Sequence, residues 1–378
     1  MYMSKLLSQG GFGCVFYPGV DCRGKTIDDD TVVTKIQRKG FNSDNELTIG
    51  SLIHKQEEHE LFFLPVTSSC DINLRKTSKK ELSKCKILKD YKKKYVAMDM
   101  TYVDNTDFID MIKRLNASDI ILTLSGTYRY LLMALEKLNN INVVHYDLKL
   151  ENIMFLSKTH EPRIIDFGIS IPIDKLTKHN MKDYFYIYSP SYYVWCLDIN
   201  IINFLLHETK GNLTEIDAES IAYLYVSSNR ALDMFSPDFI SQFLDTCIIQ
   251  TKKYVGRPRD DVLQELLSYS NTWDNYSLSI IYLIVISTFF SKQGQSSKFV
   301  IYFTQLLLKN IHPDPTRRLS ITETLLQQTN FLYIEDDVNN YLQLSKSAEI
   351  AKQESIPKFE NHAARLKKLK TLTFHKRL

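Results

Sequence analysis

Eight consecutive residues, His145-Tyr146-Asp147-Leu148-Lys149-Leu150-Glu151-Asn152, put an acid, a lysine and an amide into one short loop. A second carboxylate follows in Asp166-Phe167-Gly168. Phosphoryl transfer to a hydroxyl needs a general base, a cation facing phosphate and two oxygen ligands for magnesium. Asp147 and Lys149 are therefore the candidate catalytic pair, and Asn152 and Asp166 the candidate metal ligands. Ile153-Met154-Phe155 and Arg163-Ile164-Ile165 read as short strands, so each acid falls at a strand end.

The elements that position this chemistry begin upstream. In Leu7-Ser8-Gln9-Gly10-Gly11-Phe12-Gly13-Cys14-Val15-Phe16, alternating apolar residues flank glycines, the pattern of a hairpin with a pliable tip. Glycine lets backbone N–H groups approach a polyphosphate; a plain hairpin is the alternative. Thr31 to Ile36 is a β-branched strand carrying Lys35, a costly residue among apolar neighbours unless it meets an anion. Glu46, on a helix expected from about Asn45, is the preferred partner for Lys35. Glu57, Glu58 and Glu60 are rivals placed on the same helix. Phe62 to Thr67 and Tyr95 to Met100 read as further strands. Leu122 to Asn139 and Phe299 to Asn310 read as amphipathic helices. Asp274 is a plausible N-cap for an apolar helix that follows.

The 378 residues suffice for two lobes with insertions, and 44% hydrophobic and 24% charged content is ordinary for a chain that buries a core. The net charge of +3 does not imply nucleic acid; its distribution matters more. Arg75, Lys76, Lys79, Lys80, Lys84, Lys86, Lys89, Lys92, Lys93 and Lys94 outnumber Asp71, Glu81 and Asp90 nearby. This reads as a solvated loop, with docking to an acidic protein, nucleic acid or anionic lipid as the alternative. The tail from Ala363 (Arg365, Lys367, Lys368, Lys370, Lys376, Arg377) is expected to be a solvated terminus, with an anionic surface again the alternative. Cys14, Cys22, Cys70, Cys85, Cys196 and Cys247 contain no Cys-x-x-Cys pair, and reduced thiols are expected. The polar start leaves no room for a signal peptide. The apolar run Leu278 to Phe290 is shorter than the ~20 residues that span a bilayer and is expected to be a core helix.

In order and spacing these motifs resemble the eukaryotic protein-kinase family, serine/threonine branch, over roughly residues 4 to 333. The resemblance implies an α+β bilobal fold: a β-rich N-lobe over 1–100 with a basic insertion at about 70–94, and a helical C-lobe over 101–334. A helical insertion at about 192–270 and an extension over 335–378 complete it. It implies ATP and Mg²⁺, or Mn²⁺ in its place, and a protein substrate. Leu7, Ser8, Gln9, Gly10, Gly11, Phe12, Gly13, Cys14 and Val15 resemble the loop over ATP. Lys35 is similar to the phosphate-binding lysine with Glu46 its partner, and Met98 to Met100 look like the gatekeeper and hinge. Asp274 resembles the buried aspartate beneath the catalytic loop, and Arg318 the late structural arginine.

Four positions depart from the family pattern. Tyr146 replaces the loop arginine that binds an activation-segment phosphate. Ser191 follows Pro190 where a glutamate is expected, which deprives Arg318 of its usual partner. About 80 residues separate Pro190 from Asp274, far more than the family pattern has. Ser279 replaces a glycine. Tyr17-Pro18-Gly19 and the insertion look most like kinases of large DNA viruses, which implies host cytoplasm or virion. The alternatives are a small-molecule phosphotransferase, a pseudokinase scaffold acting through residues 192–270, and a nucleic-acid-binding protein.

Overall fold

Alternation of apolar with polar residues gives the first hundred residues the strands of one sheet. The computed structural model describes residues 4–11, 13–74, 82, 84–90, 92–115, 117–290, 298–332, 356–358, 360, 361, 364–366 and 368. Phe12, Arg75, Lys76, Lys79, Lys80, Lys367, Lys370, Lys376 and Arg377 lie outside them. The chain divides into two units: Met1–Thr106 with Leu156–Thr159 and Arg163–Ser170, and Asp107–Phe155 with His160–Pro162 and Ile171–Leu378.

The first unit holds β1 (Lys5–Gln9), β2 (Gly13–Tyr17), β3 (Val32–Arg38), β4 (Val66–Ile72) and β5 (Tyr95–Thr101), antiparallel in the order β1-β2-β3-β5-β4. Because side chains alternate between faces, register decides what each residue meets. Cys14, Ile36 and Ala97 lie opposite one another and share a buried cluster with Phe16, Ile72 and Tyr95. Val15, Lys35 and Met98 are likewise aligned, on the other face. The helix Phe41–Ile53 follows β3. Gly50 lets it run close to β4, since a Cβ there would stand 3.1 Å from the Val66 carbonyl oxygen.

Several expectations for this unit need correction. The helix ends at Ile53 and Glu58 adopts a left-handed φ of 58°, so Glu57, Glu58 and Glu60 are not on it. Phe62 to Leu64 are not the start of β4. Phe63 instead forms an isolated bridge with Ile164, and Leu64 N donates to the Ile164 carbonyl at 3.1 Å. The basic insertion is more than a solvated loop, since Leu82, Cys85 and Leu88 are buried in the sheet's core cluster. Four cysteines expected to be free thiols form the disulfides Cys14–Cys85 and Cys22–Cys70. Separations of 71 and 48 residues hid both pairs, which only the folded sheet and the insertion packed on it bring together. Among the described residues Cys196 and Cys247 are the free thiols, both buried.

The second unit is helical. Ala117–Asn140, Trp273–Phe290, Lys298–Asn310 and Ile321–Leu332 pack together. The stretch Ser270–Phe290 is long and apolar enough to cross a membrane, but its most apolar part is mostly buried within the protein, as in a core helix. Each fully buried Leu or Ile there contributes about 1.5–3 kcal/mol. Ser279, in place of the family's glycine, accepts a hydrogen bond from Asn310 Nδ2 at 3.1 Å. Asp274 is not the N-cap of this helix but its second residue, buried with its carboxylate turned to backbone N–H groups described below.

Residues 192–270 fold as the helices Leu197–His207, Glu215–Ser228, Pro237–Lys252 and Arg259–Leu267. Thr214 and Asp217 cap the second reciprocally, and Ser236 followed by Pro237 starts the third. The tail is not wholly solvated. Leu366 is buried and joins Phe108, Leu150, Tyr193 and Ile280 around a cavity of about 130 Å³.

Arg318 finds its counter-ion in this region. Its Nη1 and Nη2 donate to the two Asp198 oxygens at 2.9 and 2.8 Å, with both side chains 1% exposed. Trp273 Nε1 also donates to Asp198, at 3.1 Å. Asp198 thus fills the place that Ser191 leaves vacant. Burial lowers the guanidinium's pKa most, but Asp198, Cys196 and Tyr225 together reverse that and the shift is upward. Removing one partner of a buried ion pair strands the other charge. Asp198→Ala is expected to cost about 3–5 kcal/mol in denaturant unfolding, and a loss below ~1 kcal/mol would contradict the role given to this pair.

Candidate active site

In the first unit Lys35, Glu46 and Asp166 meet. Lys35 Nζ lies 2.7 and 2.8 Å from the two Glu46 oxygens and 3.0 Å from Asp166 Oδ1. Burial alone would lower the lysine's pKa, but Asp166 and Glu46 together drive it upward, so it stays a cation. Gln37 Nε2 also reaches Glu46, at 3.4 Å. Asn45, one residue before Glu46, donates through Nδ2 to the carbonyls of Gly168 and Ser170 at 3.2 and 2.8 Å. One helix therefore holds both the lysine and the Asp-Phe-Gly turn. Asp166 adopts φ 66°, rare for a non-glycine residue, and its bond to Lys35 helps to fix it there. Phe167 anchors the turn edge-on to Phe63, with centroids 6.0 Å apart.

The glycine loop joins β1 to β2. Gly10 N donates to the Gly13 carbonyl at 2.9 Å, and β1 is irregular between Leu6 and Ser8. Leu7, Ser8, Gly10 and Gly11 are exposed, and Gln9 Oε1 accepts from Lys86 N at 3.1 Å. Gly13 is required by close backbone approach, since a Cβ would sit 2.6 Å from the Ile36 carbonyl oxygen. Val15 shares the Lys35 face. Cys14, which sequence placed in the same nucleotide-facing set, turns its side chain to the opposite face and into a disulfide. Met98 is buried beside Lys35 on that strand pair, with Met100 half-buried further along. Between them Asp99 accepts from Thr34 and Ser68 hydroxyls at 2.7 Å each, tying β3, β5 and β4 together.

The second unit carries the loop His145 to Asn152. Asp274 holds its start: Oδ2 accepts from His145 N at 2.6 Å and Oδ1 from Tyr146 N at 3.1 Å. Burial raises the Asp274 pKa, and the His145 and Tyr146 contacts oppose that rise. Tyr146 has φ 67° and is buried, stacked on Trp195 at 4.8 Å. Trp195 Nε1 donates to the Tyr146 carbonyl at 2.8 Å, and Asn203 Nδ2 to its hydroxyl at 3.3 Å. An aromatic stack thus occupies the position where the family pattern has a phosphate-binding arginine.

Asp147, Lys149 and Asn152 converge on this loop. Lys149 Nζ stands 3.1 and 3.3 Å from the Asp147 oxygens. Asn152 Nδ2 donates to the Asp147 carbonyl at 2.8 Å and to Oδ2 at 2.9 Å. Tyr192 donates its hydroxyl to Asp147 Oδ1. Sequence reasoning missed Tyr192, Trp195 and Asp198. A lone acid in the apolar run Leu197 to Leu206 was a usable signal for Asp198; Tyr192 and Trp195 gave none.

Among the described residues no cluster of three or more His, Cys, Asp or Glu could enclose a metal ion. Asp166 and Asn152 are oxygen donors of the kind Mg²⁺ takes when phosphate oxygens supply the rest of its shell. With Nδ2 turned to Asp147, Asn152 keeps Oδ1 free of protein donors among the described residues. This donor chemistry fits magnesium brought in with a nucleotide.

The family model for the protein kinase domain matches residues 4–193, half of the chain. The chain belongs to the protein kinase domain family, with a sheet-based N-terminal region and a helical C-terminal region. No curated protein matches it. Among solved structures it is similar to the autoinhibited serine kinase domain of the giant muscle protein titin. That likeness has 13% identity and a TM-score of 0.43, covering 92% of this chain and 86% of that one.

Proposed function

We propose that this chain is a serine/threonine protein kinase that moves the γ-phosphoryl group of ATP to a protein hydroxyl. The observation that carries the reading is the convergence of Asp147, Lys149 and Asn152 on a loop whose backbone is held by Asp274. Asp147 accepts the proton of the acceptor hydroxyl as its oxygen attacks phosphorus. Lys149 meets the charge on the transferred group, and its presence favours serine and threonine as acceptors. Lys35, held cationic by Glu46 and Asp166, pairs with the α- and β-phosphates. Asn152 and Asp166, each in its own unit, are the oxygen donors that would serve Mg²⁺, or Mn²⁺ in its place, which would supply charge neutralisation at the phosphates.

Tyr146 offers no cation to a phosphorylated activation segment, and its stack on Trp195 orders the loop without one. The enzyme therefore works without phosphorylation of residues 169–189.

Two outcomes test this reading. Asp147→Asn is expected to lower label transfer from γ-labelled ATP to protein by about 10²–10⁴-fold while ATP binding persists. Phosphoamino-acid analysis should return phosphoserine and phosphothreonine, and retained turnover in the variant would remove the assignment. Wild-type protein treated with a phosphatase, which is then removed, should keep its transfer rate; loss of activity would show dependence on a phosphate.

A further inference from the structure

The glycine loop closes at one cross-strand pair. Gln9, the last residue of β1, lies opposite Cys14, the second residue of β2. Between them Gly10 N donates to the Gly13 carbonyl at 2.9 Å. The turn itself is lightly held. β1 is the edge strand of the sheet and is irregular between Leu6 and Ser8, and a Cβ at Gly11 would meet nothing within 4 Å. A two-stranded hairpin with a glycine tip is marginal by itself.

Both members of the closing pair are gripped by consecutive residues of the basic insertion. Cys85 is joined to Cys14 by a disulfide, and Lys86 N donates to Gln9 Oε1 at 3.1 Å. The insertion has anchors of its own. Leu82, Cys85 and Leu88 are buried in the core cluster. Their spacing is that of two successive tight turns, in which Cys85 N donates to the Leu82 carbonyl at 3.1 Å and Leu88 N to the Cys85 carbonyl at 3.3 Å. The Tyr95 hydroxyl, on β5, reaches the carbonyls of Ile87 and Asp90 at 3.2 Å each. Residues 82–90 therefore make a strap from β5 to the base of the glycine loop.

The strap grips the loop from behind. Residues directly opposite on antiparallel strands share a face, so the side chains of Gln9 and Cys14 leave the hairpin together. That face carries the cluster of Cys14, Leu82, Cys85 and Leu88. Val15, the next residue, is on the other face with Lys35. The second disulfide, Cys22–Cys70, joins the chain after β2 to β4 and includes neither member of the closing pair.

We propose that Cys85 and Lys86 are positioning residues for nucleotide binding, holding the glycine loop where its backbone N–H groups meet the phosphates of ATP. The effect on ATP rests on the phosphotransfer reading above; the ordering of the loop does not.

Cys85→Ser opens the covalent tie, and Cys22→Ser, which removes the other disulfide of the same sheet, controls for the general loss of a cross-link. With casein as acceptor, the KM for ATP is expected to rise on the order of fivefold in Cys85→Ser, with kcat within about twofold of wild type. Cys22→Ser should keep the wild-type KM. An unchanged KM in Cys85→Ser, or an equal rise in both variants, would overturn the proposal and leave Cys14–Cys85 a structural cross-link alone. Hydrogen–deuterium exchange without nucleotide reads the loop directly. The amides of residues 7–16 should exchange several-fold faster in Cys85→Ser than in wild type or Cys22→Ser. Gln9→Ala removes the second tether with both disulfides in place, and so carries the test if Cys85→Ser does not fold. Its loop should also exchange faster, whereas Gln9→Glu, which keeps an acceptor for Lys86 N, should match wild type. Equal exchange in wild type and Gln9→Ala, or in wild type and Cys85→Ser, would overturn the proposal. If the wild type transfers no phosphate, the kinase reading fails, and the exchange rates still decide whether the strap orders the loop.

Discussion

A single buried carboxylate sets the position of the proposed phosphotransfer loop. Asp274 accepts two consecutive backbone N–H groups, from His145 and Tyr146, and is itself buried in an apolar helix. A carboxylate in such a place is costly unless its lone pairs are filled. Here the filling groups belong to the segment that must be placed. Asp147, Lys149 and Asn152 then follow within six residues, so their convergence depends on that anchor. The helix bearing Asp274 is fixed in turn by Asn310, whose Nδ2 reaches Tyr128, Asn275 and Ser279 at 3.2, 3.3 and 3.1 Å.

Where the chain leaves the family pattern, other groups do the same physical work. Arg318 lacks the usual glutamate but has Asp198 in bidentate contact, with both groups nearly dry. Tyr146 replaces a charged residue with a ring that stacks and hydrogen-bonds through its hydroxyl, and these contacts hold it at a left-handed φ. At the position where the family pattern has a phosphate-binding arginine, this chain has a packed aromatic contact. In the first unit the ionic arrangement is retained, since Lys35, Glu46 and Asp166 form one charge cluster.

Legibility in the sequence followed the range of the interaction. Lys35, Glu46, Asp147 and Asn152 stood in local motifs whose residue types state their chemistry, and the structure brings each group together within its own unit. The antiparallel strands were legible from alternation, although β4 begins at Val66 because Phe63 pairs with Ile164 instead. The two disulfides were not legible. Nothing in separations of 71 and 48 residues indicates which cysteines the sheet will align. Tyr192 was not legible either, because a tyrosine two residues past a proline carries no sign that its hydroxyl will meet an acid 45 residues earlier.

The dependence of the loop on its buried anchor is tested most directly by Asp274→Asn, measuring phosphate transfer and ATP affinity on the same folded sample. An amide keeps the shape but turns one acceptor into a donor against a backbone N–H, so one of the two loop contacts is lost. Transfer should fall by about two orders of magnitude or more, with ATP affinity changed less than about threefold. Wild-type transfer in a folded Asp274→Asn protein would contradict the claim that this carboxylate holds the phosphotransfer loop in place.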